Sequence, residues 1–241
     1  MNTELPVEQA PSDTREGSRR DQVRDRILDV AERMFASQSF AGVSIRNVTA
    51  EAEVNLAAVN YYFGSKAGLL KAVFLRRAAD LNRERIGQLQ SFLLEHDAVQ
   101  GQDSRLPLEP ILRALLGPSV RWLFNPERGL KVFIHFLARC QMEEEPELKA
   151  LFYQDVDHLR RFVPALRRAL PGLPDAEIYW CMHYALGTMH YTFTHLERLK
   201  MISRGACDIT DPEQVVGRMI EFCLAGFRAA ESRGVRVTDV P

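Results

Sequence analysis

Two short helical patterns, residues 44–52 and 55–63, are separated only by Glu53 and Val54, and this spacing constrains the fold more than any other feature of the chain. Ser44 can cap the first pattern, whose inner face reads Ile45, Val48 and Ala52. Asn55 can cap the second, with Leu56, Val59 and Phe63 directed inward. Two helices on so tight a turn predict a helix-turn-helix. Upstream, Val23, Ile27, Val30, Ala31, Met34 and Phe35 recur at three- and four-residue spacing and predict a third helix. Gly42 reads as its stop signal, a residue without Cβ that can take the left-handed turn closing a helix. Gly64 and Ser65 end one helix and begin another that runs to about residue 96.

The remainder is also helical in pattern. A polar loop at 97–105 is followed by helical segments at about 107–124, 127–142, 147–170, 175–200 and 211–232, with Pro164 expected to kink or break the third. Alternating strand patterns and internal repeats are not evident. The expected fold is all-α: a small N-terminal three-helix head, a linking helix and a larger helical body. The expected boundaries are a disordered tail at 1–18, a head at 19–65, a body at 66–232 and a tail at 233–241.

Composition bounds the function. The chain has 241 residues, 46% hydrophobic, and a net charge of −1, which excludes a generally basic nucleic-acid coat protein but not a locally basic module. Its four cysteines, Cys140, Cys181, Cys207 and Cys223, form no C-x-x-C pair and suit a reducing cytoplasmic setting. The first 17 residues lack the apolar run of a secretory signal, and the apolar stretch at 178–196 carries three histidines and three threonines, a poor composition for lipid.

The second short helix carries the most informative chemistry. Ala57 and Ala58 are small enough to let backbone approach a duplex, while Asn60, Tyr61 and Tyr62 carry polar heads. An asparagine can pair bidentately with adenine, and tyrosine hydroxyls can bond phosphate or a base edge. From Val54 to Ala79 there is no acidic residue, but there are Lys66, Lys71, Arg76 and Arg77. A basic stretch beside a helix of major-groove size is the footprint expected of phosphate binding. Arg15, Arg19 and Arg20 precede the first helix and read as a solvated, partly neutralised run, with an arm that reaches along a minor groove as the alternative.

Residues 21–75 resemble the DNA-binding domain of the tetracycline-repressor (TetR) family of bacterial regulators. The resemblance is carried by the stripe from Ile27 to Phe35, by Phe40 and Gly42 before Ser44, by Ile45, Val48, Ala52 and Val54, and by the run from Ala57 to Lys66. It implies that Ser44 and Arg46 sit near the DNA backbone at the start of the first motif helix. Asn55 opens the second helix, and Ala57, Ala58 and Asn60 face the groove. Tyr61, Tyr62 and Lys66 hold phosphates. This chain departs from the family pattern at the turn, where Glu53 replaces the usual Gly, at Asn60, where Tyr is more common, and at Ala67-Gly68, where other helix formers are usual. A glutamate in the first turn position is expected to adopt a left-handed backbone.

For the body the resemblance implies a variable domain for ligand and dimer contacts. The charge-free stretch at 178–196 and the apolar stripe of the last helix look like the implied four-helix dimer interface, with Gly187, Ile220, Leu224 and Phe227 as contact residues. Trp122, His135, Phe136, Arg139, Tyr153, Trp180 and Tyr184, with Phe152 and Phe193 beside them, are the expected lining of a small-molecule pocket. The implied mechanism is a population shift: an effector, partly apolar or aromatic, binds the body, the linking helix pivots, and the paired recognition helices lose register with a palindromic operator. Such coupling amounts to ~1–3 kcal/mol.

Other chemistry finds little support. His183 and His190 share a face with no third ligand at metal spacing, so neither metal nor cofactor is expected. No nucleophile motif or glycine-rich phosphate loop is present, so the chain is not expected to be an enzyme. The expectation is a ligand-responsive, homodimeric transcriptional regulator of repressor type, acting in the cytoplasm on double-stranded DNA without membrane attachment. The alternative is a helical small-molecule-binding or protein-interaction module without DNA binding.

Overall fold

The computed structural model describes residues 13–125, 132–137, 146 and 156–238, all of them helix or connecting turn. In chain order the helices are α1 (Asp13–Ser37), α2 (Ile45–Glu51), α3 (Leu56–Phe63), α4 (Lys66–Gln100), α5 (Leu108–Leu123), α6 (Asp157–Arg160), α7 (Val163–Ala169), α8 (Asp175–Ile202) and α9 (Pro212–Thr238). A further helical stretch occupies residues 132–137. The chain divides into two compact units, Met1–Val73 and Phe74–Pro241.

The first unit is a helix-turn-helix head. Ile27, Leu28, Ala31 and Phe35 of α1, Val48 of α2 and Val59 of α3 are all at most 2% exposed. Burying such side chains stabilises the fold by roughly 1.5–3 kcal/mol each. Leu69, Leu70 and Val73, in the first turns of α4, are equally buried and belong to the same unit, so the head closes at Val73 rather than at 65. At the other end α1 starts at Asp13, inside the stretch read as a tail. Polarity misleads there, because extending a helix already nucleated by an amphipathic stretch costs far less than starting one.

The expected stop at Gly42 is also corrected. Helix α1 ends at Ser37, and Gly42 does not have positive φ. The amide of Gly42 donates to Ser39 Oγ at 3.1 Å, and a Cβ at Gly42 would lie 3.2 Å from that same oxygen. Close approach within the α1–α2 turn, not a left-handed cap, is what the glycine provides.

The second unit is centred on α5, which packs against α7, α8 and α9. Ile111, Leu112, Leu115 and Leu116 have no exposed surface, and the charged Glu109, Arg113 and Arg121 stay at the rim. Helix α7 is pinned to the end of α4 and the loop after it: Arg168 pairs with Asp97, in the last turn of α4, through both terminal guanidinium nitrogens (2.5 and 3.3 Å), and its Nε donates to the Ser104 carbonyl. Helix α7 starts as Pro164 requires, with the proline in its first turn and a break from α6 just before it. Helix α8 buries Ile178, Met182, Ala185, Met189 and Phe193 along one stripe and is kinked at His195 (φ −128°, ψ 20°). Thr188, Thr192 and Thr194 each donate to the carbonyl four residues back, a pattern that bends helices. No described helix is long and apolar enough to cross a membrane.

Candidate nucleic-acid interface

The motif is built by its caps. Ser44 Oγ accepts from the Asn47 amide at 3.1 Å and starts α2; Asn55 Oδ1 accepts from the Ala58 amide at 2.8 Å and starts α3. Between them Glu53 has φ 53°. The Val54 amide donates to the Thr49 carbonyl at 3.0 Å and the Glu53 amide to the Ala50 carbonyl at 3.3 Å. This is the paired arrangement of a Schellman cap, with a glutamate where glycine is usual. Gly64 (φ 74°) ends α3 by donating to the Asn60 carbonyl. Ser65 Oγ then caps α4 by accepting from the Gly68 amide at 3.0 Å.

Those fixed ends set which side chains of α3 face out. Val59 is buried, and Ala57, Asn60 and Tyr61 are exposed, Tyr61 by 74%. Ala58 and Tyr62 are half-buried, and the Tyr62 ring meets Tyr61 edge-on at 5.0 Å. Leu56, expected to pack inward, is 48% exposed and joins the outer face four residues before Asn60. It is the first residue of α3, and an exposed apolar residue there can meet a thymine methyl. Ser44 is half-buried at the head of α2, and Arg46 is exposed one residue into it.

The basic side chains divide. Lys71 is exposed. Lys66 Nζ stands 4.4 Å above the Phe40 ring and 3.5 Å from the Ala41 carbonyl, so it ties α4 to the α1–α2 turn inside the head. Arg76 and Arg77 are half-buried and already engaged. Gly68, a departure from the family pattern, has a structural role: a Cβ there would collide with the Phe63 carbonyl oxygen. Its signal was the glycine itself, three residues after a serine cap, where helix formers are expected.

Of the expected pocket residues that the structure describes, Trp122 and Phe136 come together, whereas Trp180 and Tyr184 lie on another face. Trp122 and Phe136 are buried in one aromatic cluster, each about 6 Å from the Phe133 ring. His135 is exposed. Trp180 and Tyr184, 55% and 64% exposed, stack on each other at 5.8 Å on the outer face of α8. Residues 180, 184, 187 and 191 run opposite the buried stripe, so helical phase removes Trp180 and Tyr184 from the Trp122 cluster. Phe193 lies on the buried stripe, whereas Arg139, Phe152 and Tyr153 lie outside the described residues.

The interface expectation shifts in the same way. Ile220, Leu224 and Phe227 are buried within the chain itself, and of the expected contacts only Gly187 is exposed. The outward stripe of α9 is Phe222, 71% exposed, with Ala225, Gly226 and Ala229. An open groove of about 430 Å³ between α5 and α9 is lined mainly by charged and polar groups, Glu109, Arg113, Gln214, Arg218 and Glu221 among them, and holds none of the expected pocket aromatics. The described residues contain no cluster of three or more potential metal ligands.

Head and body define an all-α protein with an N-terminal helix-turn-helix. Comparison with known proteins places it further: the family described as "Bacterial regulatory proteins, tetR family" matches residues 27–73, and "Tetracyclin repressor-like, C-terminal domain" matches residues 113–226. The chain belongs to the TetR family. It is 38% identical over 48 residues to "Probable HTH-type transcriptional regulator YttP" of Bacillus subtilis (20% of this chain, 23% of that one). It is 32% identical over 102 residues to an uncharacterized HTH-type transcriptional regulator of Xanthobacter autotrophicus, encoded in the dhlA 5′ region (42% of this chain, 46% of that one). The chain thus spans under half the length of the curated relatives it matches. The fold is shared with the crystal structure of NalD, the secondary repressor of the MexAB-OprM multidrug efflux pump in Pseudomonas aeruginosa (TM-score 0.58, 18% identity, 88% of this chain and 97% of that one).

Proposed function

We propose that the chain is a homodimeric, effector-responsive transcriptional repressor that reads operator DNA through α3. The observation that carries this reading is the outward face of α3. Leu56, Ala57, Asn60 and Tyr61 are exposed on a helix whose start is fixed by the Asn55 cap. A helix of this length enters the major groove with its N-terminal residues leading. Asn60 supplies base readout, and Tyr61, Tyr62, Ser44, Arg46 and Lys71 supply phosphate contacts; Lys66 adds charge while holding the turn.

Pairing uses α8 and α9. These helices pack on each other and leave Trp180, Tyr184, Tyr191 and Phe222 exposed, beside glycines at 187 and 226 whose Cβ positions meet open space. Exposed apolar faces of this kind mark interaction surfaces. Two copies related by a two-fold axis would bury them in a four-helix interface and present two α3 helices to a palindromic site. Effector binding in the body then lowers operator affinity by favouring a different head spacing. The repressor sign follows NalD and the family resemblance.

The test is an electrophoretic mobility shift with the full chain and the DNA upstream of its own coding sequence, against scrambled competitor. The reading expects a discrete complex that survives competitor. Binding lost equally to both DNAs contradicts it and favours the module without DNA recognition.

A further inference from the structure

The interior of the body contains an arginine that makes no ion pair with any described residue. Arg85, on α4, is 6% exposed. Its Nη2 donates to Ser119 Oγ of α5 at 2.6 Å and to Met189 Sδ of α8 at 3.5 Å, and its Nη1 to Asn82 Oδ1 at 3.4 Å. Every one of these partners is neutral. The buried Nε has no acceptor. Glu84 acts on Arg85 through its field, but its oxygens accept from Trp122 Nε1 at 2.7 Å and Gln88 Nε2 at 3.2 Å. Burial is the largest influence on the guanidinium and lowers its pKa to about 10, with Glu84 opposing, so it stays cationic at neutral pH.

A buried cation with neutral partners is a poor way to hold helices together, since an apolar side chain of similar volume generally packs there at least as well. Its fork offers donors in the geometry that matches a carboxylate. One hydroxyl and one guanidinium suit a single negative charge, and the nearby Glu84 disfavours a dianion such as phosphate. Glu84 also anchors Trp122, whose ring adjoins Phe133 at 6.2 Å, so an aromatic cluster packs against the same turn of α4 that carries the cation.

We infer that Arg85 is the counter-ion for a monoanionic, carboxylate-bearing effector with an apolar body, the carboxylate pairing with the Nε edge of the guanidinium. This rests on the effector-responsive reading above and names the chemistry of its ligand.

The experiment uses the full chain and a series of ω-phenylalkanoates, from phenylacetate to phenyloctanoate, each paired with its neutral amide. Thermal unfolding is followed for the wild type, Arg85→Met and Arg85→Gln. In the wild type, at least one carboxylate should raise Tm by about 5–10 °C at ~100 Kd, and its amide should not. Both variants should lose that difference, and at least one should melt, without ligand, no lower than the wild type. Equal shifts from acid and amide, no shift across the series, or both variants melting several degrees lower without ligand would overturn the inference. A mobility shift on the same samples separates the two claims. Acid-selective binding without DNA binding sinks the regulator reading and leaves the carboxylate site standing; DNA binding with no acid preference does the reverse.

Discussion

The α-carbon of Gly68, in the first turn of α4, lies so close to the carbonyl oxygen of Phe63, the last residue of α3, that a methyl group there would collide with it. The contact fixes how α3 hands the chain to α4, and so helps fix the orientation of α3 within the head. Gly68→Ala should destabilise the head by about 1–3 kcal/mol, the usual cost of forcing an extra carbon into a packed site. Hydrogen exchange of α2 and α3 amides in the full chain reads this directly; unchanged protection would mean the two helix ends can part without cost.

Glu53→Gly should act in the opposite direction. The left-handed backbone at Glu53 costs a residue with a Cβ roughly 1–2 kcal/mol, partly offset by the greater freedom glycine loses on folding. A net stabilisation of about 0.5–1 kcal/mol is expected, seen as slower exchange in the same amides. Faster exchange would show that Glu53 makes a contact worth more than its strain.

Asn60→Ala addresses base selection. Loss of an amide that pairs with a base should reduce discrimination between operator variants by about 1–3 kcal/mol at one position while leaving nonspecific affinity nearly intact. Equal losses on all sequences would make Asn60 a phosphate-positioning residue.

The two stripes of α9 separate packing from assembly. Phe222→Glu should leave the fold intact and yield monomers by sedimentation velocity. Leu224→Glu, which buries a charge within the chain, should instead lower Tm sharply. A dimeric Phe222→Glu protein would move the interface away from this face.

Acid should weaken the hold of α7 on the last turn of α4, where Asp97 lies. The hydrogen bond from Arg168 is the main reason the Asp97 carboxyl lies below its ordinary value. With the folded pKa depressed, the stabilisation is complete above the ordinary carboxylate pKa of about 4 and is lost as pH falls through the lower folded value. The Tm difference between wild type and Arg168→Met should therefore be constant near neutrality and shrink below about pH 4. A constant difference down to pH 2 would mean that Arg168 acts through packing alone.

The head could be read from sequence because its signals are local. Ser44, Asn55 and Gly64 act on backbone within four residues of themselves, so their spacing carries the geometry. The left-handed turn at Glu53 was legible through the family resemblance, which puts glycine at that position. The body was less so. In α8 the stretch 178–196 has no charged residue to mark the solvent side, so exposed Trp180 and Tyr184 read as pocket lining beside Trp122. In α9 the larger side chains Ile220, Leu224 and Phe227 form the stripe that periodicity finds first, and it is the core stripe. The outward stripe is mostly Ala and Gly and has little hydrophobic signal. Arg85 follows Arg83 and Glu84 in a charged run, and only the packing of α4, α5 and α8 reveals that it is buried.

The central claim is that two copies of α3 read one operator. Footprinting of the full chain on the DNA upstream of its own coding sequence tests it most directly. The account predicts two protected half-sites of opposite orientation, centred about 10 bp or a multiple of that apart, and loss of both in Phe222→Glu. Protection of a single half-site unaffected by Phe222→Glu, or no protected sequence at concentrations where the chain coats DNA uniformly, would contradict it.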